Sequence, residues 1–348
     1  MPNISLYFVR HGQRIDHVDA SWIDTSPCPQ DPPLTDLGKQ QARHAGKMIR
    51  DLAREDLSLH CSHRGTEATL QSITPPVSPA NNRHHLSTAA AASLAKRPHH
   101  FAIVTSPFLR CTQTAIEMAF GMRTAMANSK ETTTLPGSGW PQVQTISSHA
   151  AGACNEREPD KDLVTISVES GIAEWLSLEY VSEPVPDSII IQRMQDFAKA
   201  RRDHEQYYSI DWKYIAKERQ LPPWPETRED MQVRQERALE HILQFYIGAA
   251  AKDKNRDLSI VFVTHASPVN ALLEACLQTP ILIPIPNCSI SRCLWTPQSM
   301  IDDSLVDAPR GKIPTHSAQT QTIAGEEGRW LLDYQAYTAH LGNGQHFS

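Results

Sequence analysis

The chain has 348 residues, of which 40% are hydrophobic, enough for a packed core in one large domain or two small ones. A formal net charge of −6, with neither a basic tail nor a long basic run, argues against direct nucleic-acid binding and against a membrane-surface binder. Seven scattered cysteines (Cys28, Cys61, Cys111, Cys154, Cys276, Cys288, Cys293) make no CxxC pair and no zinc spacing, and read as reduced thiols of a cytoplasmic or nuclear protein.

The first strand is expected at Tyr7-Phe-Val9, which has β-branched and aromatic character and delivers Arg10, His11, Gly12 and Arg14 at its end. No basic and apolar leader precedes it, and no apolar run reaches membrane-spanning length, so neither a cleaved signal nor a bilayer span is expected. A Pro-rich loop, Ser26 to Pro33, leads into a helix capped by Thr35, with Leu37, Ala45, Met48, Ile49 and Leu52 at helical spacing. From about Glu55 to His100 the pattern dissolves into Ser, Thr, Pro, His and Ala, which predicts a mobile insertion. His84-His85 and His99-His100 fall within it and read as solvated loop residues. Phe101-Ala-Ile-Val-Thr105 predicts a short buried strand, then a helix with Ser106 as N-cap and Pro107 as first residue, so that Arg110 lies near its first turn.

A second irregular stretch, about Arg123 to Asp160, precedes a strand at Leu163 to Val168 and a turn carrying Glu169 and Glu174. Residues 176 to 225, with Trp212, Trp224 and several prolines, predict an irregular cap with short helices. From Thr227 to about Ile247, Met231, Ala238, Leu239, Ile242 and Phe245 share one face of a helix. The last unit is a strand at 258–264 that ends in His265, with a helix opening at Ser267-Pro268. Strands alternating with helices predict an α/β fold with a largely parallel sheet, residues 1–348 forming one domain with insertions at about 55–100 and 123–160.

Open α/β sheets bind ligands at the carboxyl ends of their strands, so His11 and His265 can meet despite their separation. Taken singly, a strand-end His is usually a satisfied core residue and a single Arg a surface charge. Taken together, in the forms RHGxR, SPxxR and THAS, Arg10, His11, Arg14, Arg110 and His265 predict a pocket for a phosphoryl group. Guanidinium forks match its oxygens, and helix starts add backbone N–H groups. A neutral His11 can attack phosphorus and become a phosphohistidine, while a protonated His265 adds a charged hydrogen bond to the equatorial oxygens. The leaving oxygen needs a proton, and Glu169 and Glu174 both follow a strand where a carboxylic acid is wanted. This chemistry asks for no metal and no cofactor. Asp36, Lys39 and Arg43 read as the solvated face of the first helix, Cys111 as a packed thiol, and Trp175 as core or pocket wall.

These segments resemble the histidine phosphatase superfamily, the phosphoglycerate-mutase-like fold, in its first branch. The likeness rests on Val9 to Arg14, Pro33 to Ala42, Thr105 to Ala115 and Val263 to Ala266, in family order but over a minor part of the chain. It implies a three-layer α/β/α sandwich, His11 as the phosphorylated nucleophile, Arg10, Arg14 and Arg110 as a phosphate clamp, and His265 as the second pocket histidine. Arg14, where the mutases carry Ser, and the run Val168 to Trp175 are similar to the STS (ubiquitin-associated and SH3-domain) tyrosine phosphatases and the tau subunit of the RNA polymerase III assembly factor. That likeness makes Glu174, rather than Glu169, the proton donor. Gln13 departs from the pattern, where Glu is usual, and no ubiquitin-associated or SH3 module is visible. The resemblance implies metal-independent hydrolysis of phosphomonoesters, on a small molecule or a phosphoprotein. The alternative is a low-activity interaction subunit of a signalling or transcription assembly; the substrate, and a homodimer or assembly partner, are left open.

Overall fold

Side chains alternate across a strand, so a strand covered on both faces reads as an unbroken apolar run. Leu6, Tyr7, Phe8 and Val9 are all fully buried in this way. The computed structural model describes residues 2–64, 98–124, 163–204, 207–253, 255–301, 320–323 and 325–342. Within them, one sheet is built from β1 (Ile4–Arg10), β2 (His99–Thr105), β3 (Leu163–Val168), β4 (Ser209–Ile210), β5 (Asp257–Thr264), β6 (Ile290–Pro297), β7 (Gln321–Ile323) and β8 (Glu326–Tyr337). Their order is β4-β3-β2-β5-β1-β6-β8-β7. The first five in that order run parallel, and β6, β8 and β7 extend the sheet antiparallel beyond β1.

A one-turn helix, α1 (Trp22–Thr25), precedes α2 (Asp36–Arg64). Tyr7, Val9, Phe101 and Ile103 pack with α2, α3 (Leu109–Thr124) and α4 (Ser188–His204) on one face. Leu6, Phe8, Ala102 and Val104 pack with α5 (Arg228–Ala250) and α6 (Ala266–Leu277) on the other. The result is the expected α/β fold: three layers around a mostly parallel sheet. Thr35 caps α2 through Oγ1, which accepts the Gly38 N–H at 2.9 Å. No helix among the described residues is long and apolar enough to cross a membrane.

Several local expectations are corrected. Helix α2 runs on to Arg64, into the segment read as an insertion, because no Gly or Pro interrupts it between Gly46 and Gly65. His99 and His100 are not solvated loop residues: they open β2, where His99 Nε2 pairs with Ser259 Oγ at 2.8 Å and His100 Nε2 with Thr165 Oγ1 at 2.9 Å. Residues 65–97, with His84 and His85, and residues 125–162 lie outside the described residues, so the expected insertions fall there. Helix α3 begins at Leu109 rather than at Pro107, because the Asp31 carboxylate takes the Leu109 N–H at 2.6 Å in place of a Ser106 cap. Residues 176–225 contain the 17-residue α4 instead of short helices, since Ile189, Arg193 and Phe197 form a buried stripe at four-residue spacing. The same segment also supplies β4, which lengthens the sheet beside β3.

Candidate active site

Register brings the site together. Arg10 lies opposite Thr264 in the β1–β5 pair and Thr105 opposite Val263 in the β2–β5 pair, so His11, His265 and Ser106 leave the sheet at one level. The two imidazoles meet edge to face, with ring centroids 5.3 Å apart. The chain escapes β1 through Gly12, whose N–H donates to Thr114 Oγ1 at 3.1 Å. A Cβ at this position would stand 2.4 Å from the Gly38 carbonyl oxygen, so only glycine lets the loop pass the first turn of α2.

His11 is 1% exposed. Its Nδ1 lies 2.8 Å from the Gly12 carbonyl oxygen, which can only accept, so Nδ1 carries the proton and Nε2 the lone pair. Burial, with repulsion from Arg110, Arg10 and His265, holds the ring well below the usual histidine range.

The arginines are differently engaged. Arg10 donates from Nη1 to Ile285 O at 2.8 Å. Arg110, 2% exposed, donates from Nη1 to Gln30 O at 3.3 Å and from Nη2 to Glu174 Oε2 at 3.4 Å, and its Cζ stacks 4.6 Å above Phe108. The Nε–H groups of both are buried with no hydrogen-bond acceptor among the described residues. Buried donors are rarely left so, and on two cations they suit an anion. Arg14 departs from the expected clamp. Its Nε and Nη2 donate to Asp16 Oδ1 and Oδ2 at 3.0 and 2.6 Å, so a carboxylate of the same chain fills the fork. Its charge still depresses Arg10 and His265.

Glu174 and His265 form the acidic side. Glu174 Oε2 is 3.0 Å from His265 Nδ1, and Oε1 accepts the Trp175 N–H at 3.0 Å. Burial pushes the Glu174 carboxyl up, but His265 and Arg110 outweigh it and hold it at about 2. Burial also draws His265 down to about 4, against the opposing pull of Glu174. The expected protonated His265 is thereby corrected: complete burial keeps it neutral near pH 7. An ionised Glu174 only accepts, so Nδ1–H is donated to it, and Nε2 accepts from Ser106 Oγ at 2.9 Å. At neutral pH the pair carries one negative charge.

The two candidate acids separate in space. Glu174 keeps 19% of its side chain open beside Arg110 and His265. Glu169 is closed off, and its oxygens accept the N–H groups of Gly171 (2.7 Å), Lys217 (2.8 Å) and Glu218 (3.2 Å) and the Tyr214 hydroxyl (2.5 Å). Its lone pairs hold the loop 214–218 rather than face the histidines.

Sequence reasoning missed Asp31, Ser106, Phe108, Thr114 and Arg193. Asp31, 4% exposed, caps α3 and lies 3.8 Å from Arg110 Nη1 and 3.6 Å from Arg193 Nη2 of α4. A lone carboxylate within a Pro-stiffened loop was the only hint of it. Cys111 Sγ is 3.4 Å from His265 Nε2, and burial pushes its thiol up, in keeping with a packed residue. Arg43 is more than a solvated charge, since it bonds Glu117 of α3 at 2.5 Å and stacks on Phe120. Trp175 is partly buried and donates Nε1–H to Glu226 O at 3.0 Å. Among the described residues no three His, Cys, Asp or Glu side chains converge as a metal site requires. A cavity of about 250 Å³ opens instead at the ends of β3 and β4, by Val168, Ser170 and Trp212, and includes none of the pocket residues.

The family model described as histidine phosphatase superfamily (branch 1) matches residues 192–305, about a third of the chain, which include His265 but not His11, Arg110 or Glu174. No curated protein matches the sequence. Among solved structures, the chain is similar to the ecdysone phosphate phosphatase of Bombix mori in complex with tungstate, at 15% identity over 89% of this chain and 97% of that one, with a TM-score of 0.43. It is similar to a phosphoglycerate mutase from Bacillus anthracis at 11% identity, over 99% of this chain and 98% of that one, with a TM-score of 0.40. A mycobacterial glucosyl-3-phosphoglycerate phosphatase follows at 15% identity, over 95% and 98% of the two chains, with a TM-score of 0.37.

Proposed function

We propose that the chain is a phosphatase of the histidine phosphatase superfamily, branch 1, hydrolysing phosphomonoesters through a phosphohistidine on His11. The observation that carries this reading is the commitment of His11 Nδ1–H to the Gly12 carbonyl. It leaves a neutral, buried Nε2 lone pair among Arg10, Arg110 and His265. In the first step an Nε2–P bond forms as the P–O bond to the leaving alkoxide or phenoxide breaks, and Glu174 gives that oxygen a proton. In the second, water attacks phosphorus, returns a proton to Glu174, and the N–P bond breaks to release inorganic phosphate. Arg10 and Arg110, whose Nε–H groups have no partner among the described residues, stabilise the charge spread over the equatorial oxygens.

Glu174 is ionised in the free site, so its proton has to arrive with the substrate. A phosphomonoester monoanion carries one, since its second pKa is about 6. The dianion left after transfer competes for Arg110 and His265 and raises Glu174 at the same moment. A donor role for Glu174 follows without any change of fold.

The test is alkaline quenching and mapping of the phosphoenzyme formed from a generic aryl phosphate, because a phosphohistidine N–P bond survives base and is lost in acid. His11→Ala should abolish the trapped species and slow hydrolysis by several orders of magnitude. Turnover by wild type that survives this substitution would exclude the mechanism. The finer kinship, with the STS phosphatases and the polymerase III assembly-factor subunit, rests on Arg14 and the run Val168 to Trp175 alone. The second reading, an interaction subunit with little turnover, draws support from Asp16 filling the Arg14 fork. Vanadate binding without hydrolysis would favour it.

A further inference from the structure

Glu174 lies on Ser170 to Leu176, where one turn of 3-10 helix gives way to chain with no strand ladder, yet its carboxylate stands in a defined place between His265 and Arg110. Five main-chain carbonyls of this stretch, those of Gly171, Ile172, Ala173, Glu174 and Leu176, are held from outside it. Ile172 O accepts from Thr264 Oγ1 at the end of β5, at 2.5 Å. Those of Gly171, Ala173 and Glu174 are held by one side chain, Arg234 of α5, which is 5% exposed. Its Nη1 donates to Gly171 O at 2.8 Å and Ala173 O at 3.2 Å, and its Nη2 to Glu174 O at 3.3 Å. Nε and Nη2 also donate to Glu226, 2.7 Å to Oε1 and 2.8 Å to Oε2. A guanidinium has five N–H groups, and these contacts employ all of them. Glu226 closes the cradle: its N–H donates to Leu176 O at 2.9 Å, and its carbonyl accepts Trp175 Nε1–H at 3.0 Å. Gln235 Nε2 adds a bond to Ala173 O at 3.2 Å.

A buried ion pair is a poor device for stability alone, because desolvating both charges cancels most of their attraction and a well-packed apolar pair does as well. An apolar pair cannot bind three carbonyls of one irregular loop. We infer that Arg234, braced by Glu226, is a positioning residue that sets the Glu174 carboxylate against His265 and Arg110 and so governs proton delivery to the leaving group. The inference rests on the donor role proposed above for Glu174. Lysine at this position keeps the charge but offers a point of three donors in place of the planar fork.

The test compares full-length wild type, Arg234→Lys, Glu174→Gln and the double variant on an alkyl phosphate and on an activated aryl phosphate, whose leaving group departs without protonation. Arg234→Lys should lower kcat on the alkyl phosphate about tenfold more than on the aryl one, with KM nearly unchanged. In the Glu174→Gln background the same substitution should add little. A uniform loss on both substrates, or an equal loss in both backgrounds, overturns the inference. Should Arg234→Lys not fold, Glu226→Gln keeps the three carbonyl contacts, loosens their brace, and carries the same comparison. A crystal structure of the variant gives a readout independent of rate: Glu174 retained at 3.0 Å from His265 Nδ1 would also overturn the inference. If Glu174→Gln itself shows no leaving-group preference, the donor role fails, and that structure alone decides whether Arg234 positions Glu174.

Discussion

Replacing Glu169 by Gln should unfold the protein more readily while leaving the leaving-group preference of catalysis intact. The carboxylate is fully buried and accepts four hydrogen bonds, two on each oxygen: Gly171 and Glu218 N–H on Oε1, Tyr214 O–H and Lys217 N–H on Oε2. An amide of the same shape has one oxygen to offer. Whichever way it turns, two donors lose their acceptor and face an NH₂ group. A hydrogen bond to a charged group contributes about 1.5–3 kcal/mol, so the loss should come to about 3–6 kcal/mol. That is a large share of a typical total of about 5–15 kcal/mol. Urea unfolding followed by circular dichroism should show the midpoint falling with little change in slope. Tyr214→Phe removes one of the four bonds and should cost about half as much, about 1.5–3 kcal/mol. A loss below about 1 kcal/mol for Glu169→Gln would refute the structural assignment. So would a rate defect confined to poor leaving groups, which would move the proposed proton donor from Glu174 to Glu169.

Acid should weaken the fold in a defined window. His265 and His100 are each drawn from 6.5 to about 4 by burial, so the unfolded chain takes up protons first; stability is complete above pH 6.5 and declines as pH falls toward 4. Each can contribute a slope of up to about 1.4 kcal/mol per pH unit. Glu174, held at about 2 against 4.5, extends the decline below pH 4.5. A denaturation series from pH 7 to 4.5 that stayed flat would contradict both histidine assignments, and His100→Gln should make it shallower. Asp16→Asn should release the partly exposed Arg14 fork and tighten vanadate binding about two- to fivefold, the measure of one surface ion pair. Weaker binding in a calorimetric titration would mean that Asp16 orders Arg14 for the ligand instead of competing for it. Gly12→Ala, with its Cβ 2.4 Å from Gly38 O, should cost at least about 2 kcal/mol in a thermal-shift or urea assay, and a neutral variant would show that the loop yields at that point.

Much of the framework was legible because it is encoded locally. The apolar runs of β1 and β5 announced strands covered on both faces, and each named the histidine at its carboxyl end. The Thr35 cap and the stripe Met231, Ala238, Leu239 and Ile242 on α5 needed only neighbours within a few residues. Parallel pairing of two such strands then fixes where their ends meet, which is why His11 and His265 could be matched across most of the chain. Other features had no local signature. The continuation of α2 beyond about Glu55 was lost to a polar composition that masked an absence of helix breakers, and the antiparallel β6, β7 and β8 were not anticipated. Strand β8 alternates only loosely between buried and exposed residues, and Trp330 becomes core by packing on Trp295, 5.3 Å away between ring centroids.

The sequence by itself determined which chemistry the pocket can hold: the identities of Arg10, His11, Arg110, Glu174 and His265, and their delivery from strand ends and a helix start. Only the tertiary structure decided the state of each group. Glu169 and Glu174 are five residues apart on one turn, yet one is saturated by the loop 214–218 and the other stands beside His265. His265 is neutral because it is fully enclosed by Phe108, Cys111 and Ser106, more than 150 residues earlier in the chain. Protonation and pairing depend on how much water is excluded and which charges stand within a few ångströms, and those distances exist only once the strands have been brought side by side.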